Sequence, residues 1–244
     1  MEENKFLTPT ETVDLPSKGL IYPKDNPLSS GKIEMKYMTA KEEDILTNQS
    51  YIQKGIVLDK LLQSMIVSKI NYDDLVAGDK NALMVAARVL GYGKDYSFMY
   101  NGEEYNIDLA TLDNKPLNES LFTSGVNEFD YKLPTTNLDT KFKLLTGHDE
   151  KKINAELEGL KKINKNFSPE LSTRLKYIIV AINGNRDTKD IRDFIDNQLL
   201  AKDSKALRAY IKEFQPDVDL TFFPNGSDNR VSIPVGISFF WPES

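Results

Sequence analysis

The stretch Val218-Asp-Leu-Thr-Phe-Phe223, then Pro224-Asn-Gly-Ser-Asp-Asn-Arg230, then Val231-Ser-Ile-Pro-Val-Gly-Ile-Ser-Phe-Phe-Trp-Pro242 decides how the chain is read. Two runs rich in β-branched and aromatic residues flank a polar segment of turn formers, which is the pattern of a β-hairpin. The rings of Phe239, Phe240 and Trp241 need a covered environment. The segment is therefore either a plug in the chain's own core or a strand that docks on a partner, and the sequence leaves both open.

The same two readings apply near the other end. Asp14-Leu-Pro-Ser-Lys-Gly-Leu-Ile-Tyr-Pro23 is apolar and full of turn residues. Leu15 to Gly19 predicts a turn and Leu20 to Pro23 a short extended piece. Such a segment packs along its own domain or laces across a neighbour. Between the two ends, Lys32 to Met38 alternates polar and apolar residues, as a half-buried strand does. Thr39-Ala-Lys-Glu42 is a capping box that starts a helix running to about Thr47. Ile56 to Ile70 predicts a central helix. Asp79 predicts the cap of another, over Ala82 to Leu90, which Gly91 and Gly93 stop.

From Lys94 to Thr146 the character changes to short strands around Tyr96–Tyr100, Tyr105–Ile107, Phe129–Leu133 and Lys141–Leu144, with Asn101-Gly102 as a hairpin turn. Helices return at about 149–164. Another begins at Ser168-Pro-Glu170 with proline in first position and runs to Ile182. Asp187 and Asp203 predict the caps of two more, reaching about Leu200 and Phe214. The expected class is α+β: an extended arm plus helices over 1–92, a small antiparallel β region over 93–147, and a helical bundle closed by the terminal hairpin over 148–244.

Composition narrows the function. The chain has 244 residues, with 31 basic against 37 acidic side chains and a net charge of −6. That balance argues against nucleic acid as a partner, because a phosphate-binding surface needs a basic excess. The absence of cysteine excludes a disulfide framework, a thiolate zinc site and a cysteine nucleophile. The first residues, Met-Glu-Glu-Asn-Lys-Phe, do not read as a signal peptide, and no apolar run is long enough to span a membrane. The expectation is a cytosolic protein, or one built in a cytosol as part of something larger.

Candidate chemistry is thin. His148, the single histidine, precedes a helix and has no nucleophile motif to serve. Asn183-Gly-Asn-Arg-Asp187 opens like a calcium loop, but Thr188 stands where that loop needs glycine and Phe194 where it needs glutamate. Asp187, Asp190, Asp193 and Asp196 drift around one helix side as a solvated face. Asp73-Asp74 and Glu103-Glu104 are adjacent and so diverge. Gly91-Tyr-Gly-Lys94 follows a helix, whereas a phosphate loop precedes one. No catalytic, cofactor-binding or metal-ligating residue is expected. What remains are interaction candidates: Leu15, Ile21, Tyr22, Phe239, Phe240 and Trp241, each with a core role as the alternative, and Arg208, which either reaches an acidic partner or is solvated.

Leu15-Pro-Ser-Lys-Gly-Leu-Ile-Tyr22, followed by Ile33-Glu-Met-Lys-Tyr-Met-Thr-Ala-Lys-Glu-Glu-Asp-Ile-Leu46, resembles the opening of the T4-type baseplate hub family of contractile-tailed bacteriophages. Phe142-Lys-Leu-Leu-Thr-Gly147, the Ala201 to Tyr210 stretch and the Val231 to Pro242 ending continue the likeness in order. The resemblance implies a baseplate hub subunit or hub assembly factor without catalytic activity or cofactor. It implies other tail and baseplate proteins as partners in a multi-subunit assembly, and residence in the virion after assembly in the host cytoplasm. A tail-assembly chaperone absent from the mature particle is the alternative. Some relatives carry cysteine pairs near the terminal hairpin. This chain has Phe222, Phe223 and Pro224 there, which implies apolar packing in place of a metal ribbon.

Overall fold

The alternation around Ile33 and Met35 sets the first element pair. A computed structural model describes residues 8–164 and 168–240. In it β1 (Thr10–Asp14) pairs antiparallel with β2 (Lys32–Lys36), Val13 opposite Ile33 and Glu11 opposite Met35. Ile33 and Met35 are fully buried. The intervening segment runs through consecutive turns, Leu20 N–H to Ser17 O and Tyr22 N–H to Gly19 O, where the sequence predicts an extended piece after Leu20.

The capping box forms as expected: Thr39 N–H and Oγ1 both donate to Glu42 Oε2, at 3.0 and 2.6 Å, and start α1 (Ala40–Leu46). Next come α2 (Gln49–Gln53), capped by Asn48, and α3 (Val57–Met65). The predicted helix over 56–70 ends early. Ile66 leaves the helix to bridge Met35, and Val67 N–H donates to Glu34 O, so tertiary pairing overrides the apolar run. α4 (Ala77–Tyr92) begins at Ala77, five residues before the predicted start, with Val76 in the cap position. Asp79 therefore lies inside the first turn and does not cap the helix. At the other end, the Arg88 guanidinium donates to the carbonyls of Gly93 and Asp95, favourable charge placement at a helix C-terminus.

β3 (Asp95–Tyr100) and β4 (Glu103–Asp108) form a hairpin in full register. Its two-residue turn, Asn101-Gly102, has φ of 50° and 84°, the left-handed pair that tight hairpins require. β5 (Phe129–Lys132) and β6 (Asp139–Phe142) follow, then α5 (Gly147–Ile163) and α6 (Glu170–Ile178). The helix expected to reach Ile182 stops at Ile178. Ile179-Val-Ala-Ile182 becomes β7 and pairs with the free edge of β6, Phe142 opposite Ile179. Its β-branched residues suit a strand. α7 (Thr188–Asn197) is capped by Asp187 as predicted. α8 (Ala201–Phe214) has Leu200 in the cap position, so Asp203, like Asp79, sits in the first turn. The terminal hairpin is present but minimal: β8 (Thr221–Phe222) pairs with β9 (Val231–Ser232), and Ile237–Phe240 closes as a single 3₁₀ turn.

The protein is α+β, with eight α-helices and small antiparallel sheets among the described residues. One contiguous hydrophobic cluster runs from Leu15 to Phe240 and draws on all three segments of the chain. β7 completes a sheet begun by β5 and β6, which joins the middle and last segments.

Candidate functional site

The Leu15–Tyr22 stretch folds around a buried carboxylate. Ser17 N–H donates to Asp79 Oδ1 at 2.9 Å, and Ser17 Oγ–H and Tyr22 O–H donate to Asp79 Oδ2 at 2.7 and 2.6 Å. Tyr22 Oη in turn accepts from Val76 N–H, an otherwise unpaired donor at the start of α4. Ser17 Oγ accepts from Gly19 N–H. Asp79 is fully buried. Burial pushes its carboxyl up from the ordinary aspartate value against the pull of these hydrogen bonds, and burial beside Asp79 pushes the Tyr22 phenol up as well. Both carboxylate oxygens are occupied by donors, so the group ties the turn to α4.

This placement corrects the reading of the partner candidates. Leu15, Ile21, Tyr22, Phe239 and Phe240 are each at most 4 % exposed. Of the two roles open to them, core packing is the one observed; none is on the surface to meet another protein. Arg208 is exposed, with Nε 3.3 Å from the Ser204 carbonyl. Trp241 lies outside the described residues.

The far end of the chain seals the β3–β4 hairpin. Phe239 stands edge-on to Tyr96 at 4.8 Å and Phe222 to Phe98 at 5.0 Å, with Tyr105 4.9 Å from Phe222. Tyr96 O–H donates to Pro234 O, and Asn225 N–H donates to Tyr105 Oη. Where the family resemblance implies apolar packing in place of a metal ribbon, Phe222 is half-buried in this ring cluster and Pro224 is buried, while Phe223 is exposed under the Arg230 guanidinium.

Four buried acids share one position, which sequence reasoning placed correctly only for Glu42: Glu42, Asp79, Asp149 and Asp203 are each the third residue of a helix. There the helix dipole favours negative charge. Glu42 and Asp149 close capping boxes with Thr39 and Thr146. Asp79 and Asp203 instead reach to remote loops. Asp203 accepts from Thr135 N–H at 2.7 Å, Thr136 N–H at 3.1 Å and Thr136 Oγ1 at 2.8 Å. Burial pushes the Glu42 carboxyl up, but hydrogen bonds from Lys36, Ser64 and Thr39 outweigh it and hold it at about 2. Desolvation opposes the same balance at Asp203, which also falls below the ordinary value.

The remaining motifs resolve locally. His148 Nε2 lies 3.0 Å from Asn71 Nδ2 and 3.1 Å from Asp74 Oδ1 at an exposed position. Asp73 pairs with Lys151, one turn along α5 from His148. In the aspartate series, Asp187 caps α7, Asp190 accepts from Asn185, Asp193 from Asn197, and Asp196 pairs with Lys176. Among the described residues no three His, Cys, Asp or Glu side chains are grouped to hold a metal ion, and no helix is long and apolar enough to cross a membrane.

One surface feature had no sequence signal, because it is assembled from four distant segments. A groove of about 420 Å³ runs beside β1, floored by Val85, Ala86 and Val89 of α4 and bounded by Leu112, Asp113 and Asn114. Comparison with protein-family models, with curated proteins and with solved structures gave no match.

Proposed function

We propose that this protein is a structural or assembly component of the baseplate hub of a contractile phage tail, acting through protein–protein contacts and without catalysis. Its partners on this reading are other tail and baseplate proteins, and its place is the virion, reached by assembly in the host cytoplasm. The observation that carries the reading is the ordered series of stretches at 15–22, 33–46, 142–147, 201–210 and 231–242, which resembles the hub family across nearly the whole chain.

The fold gives that series a physical meaning. Leu15 and Ile21, Ile33 and Leu46, Phe142, Leu207, and Ile233 with Phe239 all enter one hydrophobic cluster. The stretches that carry the likeness are thus the framework, and a shared framework supports a shared fold; function follows by analogy. The contacts with tail proteins then fall to the exposed residues between these stretches.

The test is removal of the gene from a phage that carries it, with mass spectrometry of purified particles. Arrested baseplates together with stoichiometric protein in wild-type virions are the expected result. Arrested baseplates with no protein in the particle would make it a departing chaperone. Normal tails without the gene would overturn both.

A further inference from the structure

We propose that the free edge of β1 is a docking site for an extended, basic segment of another protein, which adds as a third strand to the β1–β2 pair. Leu15 N–H donates to Gly31 O, and Tyr37 N–H donates to Pro9 O. Strand alternation therefore turns the backbone of residues 9, 11, 13 and 15 toward β2. The N–H and C=O groups of Thr10, Thr12 and Asp14 point the other way, and none has a hydrogen-bond partner among the described residues. An unpaired edge of this kind templates another strand unless it is blunted. β1 carries no proline or lysine to blunt it.

The groove beside the edge supplies the rest of a strand-addition site. Val85, Ala86 and Val89 are half-buried on its floor, placed to receive the inward side chains of an added strand, in which every second residue faces the same way. On the opposite bank, Lys115 N–H donates to Asp217 O and Asp219 N–H to Asp113 O. That pattern turns the N–H and C=O of Asn114 away from residues 217–219, and they too are unpaired among the described residues.

Charge selects the occupant. Among the described residues the groove is lined by Glu11, Asp14 and Asp113 and by no basic residue, with Lys32 of β2 reaching Asp14 at 3.3 Å from outside it. A second copy of the chain would bring its own Glu11 and Asp14 to the same acidic rim and no lysine or arginine from β1 to meet it. A strand alternating aliphatic and basic residues meets the apolar floor with one face and sets its basic side chains beside Asp14, which lies on the face of β1 opposite Glu11 and Val13. Main-chain bonds give affinity in such complexes, and alternate side chains give specificity.

The inference deepens the contact-based function proposed above, and its test reads the groove alone. The probe is a fluorescein-labelled heptapeptide, Lys-Val-Thr-Val-Lys-Val-Thr, with a counterpart in which glutamate replaces lysine. The basic peptide is expected to bind with a dissociation constant on the order of 10 µM. Binding should weaken about tenfold between roughly 0.05 and 0.5 M salt, and the acidic peptide should not bind. Amide hydrogen exchange at Thr12 and Asp14 is expected to slow when the basic peptide is present.

Thr12→Pro removes an outward donor where an edge strand tolerates proline, and Val85→Lys places a cation on the groove floor. Each should cost about tenfold in affinity or more, with the urea midpoint of the free protein as the check on folding. Equal binding of both peptides, unchanged exchange at Thr12 and Asp14, or salt-independent binding overturns the proposal. So does a β1-mediated dimer in sedimentation that Thr12→Pro dissolves. Peptide binding by a protein whose loss leaves tails normal would keep the groove and remove the baseplate role.

Discussion

Among the described residues Asp79 accepts three hydrogen bonds and has no cation as a direct partner, whereas Glu42 accepts from Lys36, Ser64 and Thr39. The two acids therefore act on stability with opposite sign. Because the folded value of Asp79 is raised, its contribution is complete below the ordinary 3.8 and declines as pH rises through the folded value. Glu42 drops from 4.5 to about 2. Its contribution is present above 4.5 and is lost as pH falls toward 2; the shift corresponds to about 3 kcal/mol. Glu42→Gln is expected to cost about that much at neutral pH and nothing near pH 2, the foot of the window. Urea titrations across the acid range would show parallel curves if this carboxylate were not responsible. Asp79→Ala strands Ser17 N–H, Ser17 Oγ and the Tyr22 hydroxyl in the core and should cost about 3 kcal/mol, with Tyr22→Phe about half of that. A cost under about 0.5 kcal/mol for Asp79→Ala, within the range of ordinary surface substitutions, would mean the turn is held by its apolar residues alone.

At the scale of elements, the fold is readable wherever the signal is local. The capping box at Thr39, the hairpin at Asn101-Gly102 and the Asp187 cap all form as their sequences predict. Reading fails where a distant partner decides. An acid just inside a helix looks the same in sequence whether it caps its own turn or reaches a loop; Asp79 and Asp203 do the latter, and their partners lie 62 and 68 positions away. Ile179 to Ile182 continues the apolar spacing of α6, and only the open edge of β6 makes it a strand. The interaction candidates were ambiguous for a related reason: an apolar, turn-rich segment such as Leu15–Tyr22 suits a core wrap and a docking arm equally, and burial is not written locally. Gly19 tests how tightly this wrap is built. It has φ of 76°, and a Cβ there would sit 2.4 Å from the Ser29 carbonyl oxygen. Gly19→Ala is expected to lower stability by about 2 kcal/mol or more, read as a lower urea midpoint; an unchanged midpoint would show that the turn has room to relax.

For the molecule as a whole, the continuous cluster from Leu15 to Phe240 means that no segment owns a separate core. Thermal or urea unfolding should proceed in one transition by circular dichroism and tyrosine fluorescence alike, and two resolved steps would count against a shared core. Phe240, fully buried, is expected to cost about 3–5 kcal/mol when changed to alanine. Loss of partner binding on deleting residues 237–244 would therefore report a damaged fold first, and a binding experiment with that truncation needs a folding control.

The aromatic face of the β3–β4 hairpin is covered by residues made much later: Tyr96 bonds to Pro234, 138 positions on, and Tyr105 to Asn225, 120 positions on. On the ribosome those rings wait roughly ten seconds for their cover. Until residues 222–239 emerge, the nascent chain presents an oily patch, so its yield in cells will depend on how promptly that stretch is made and on which holdase attends it meanwhile.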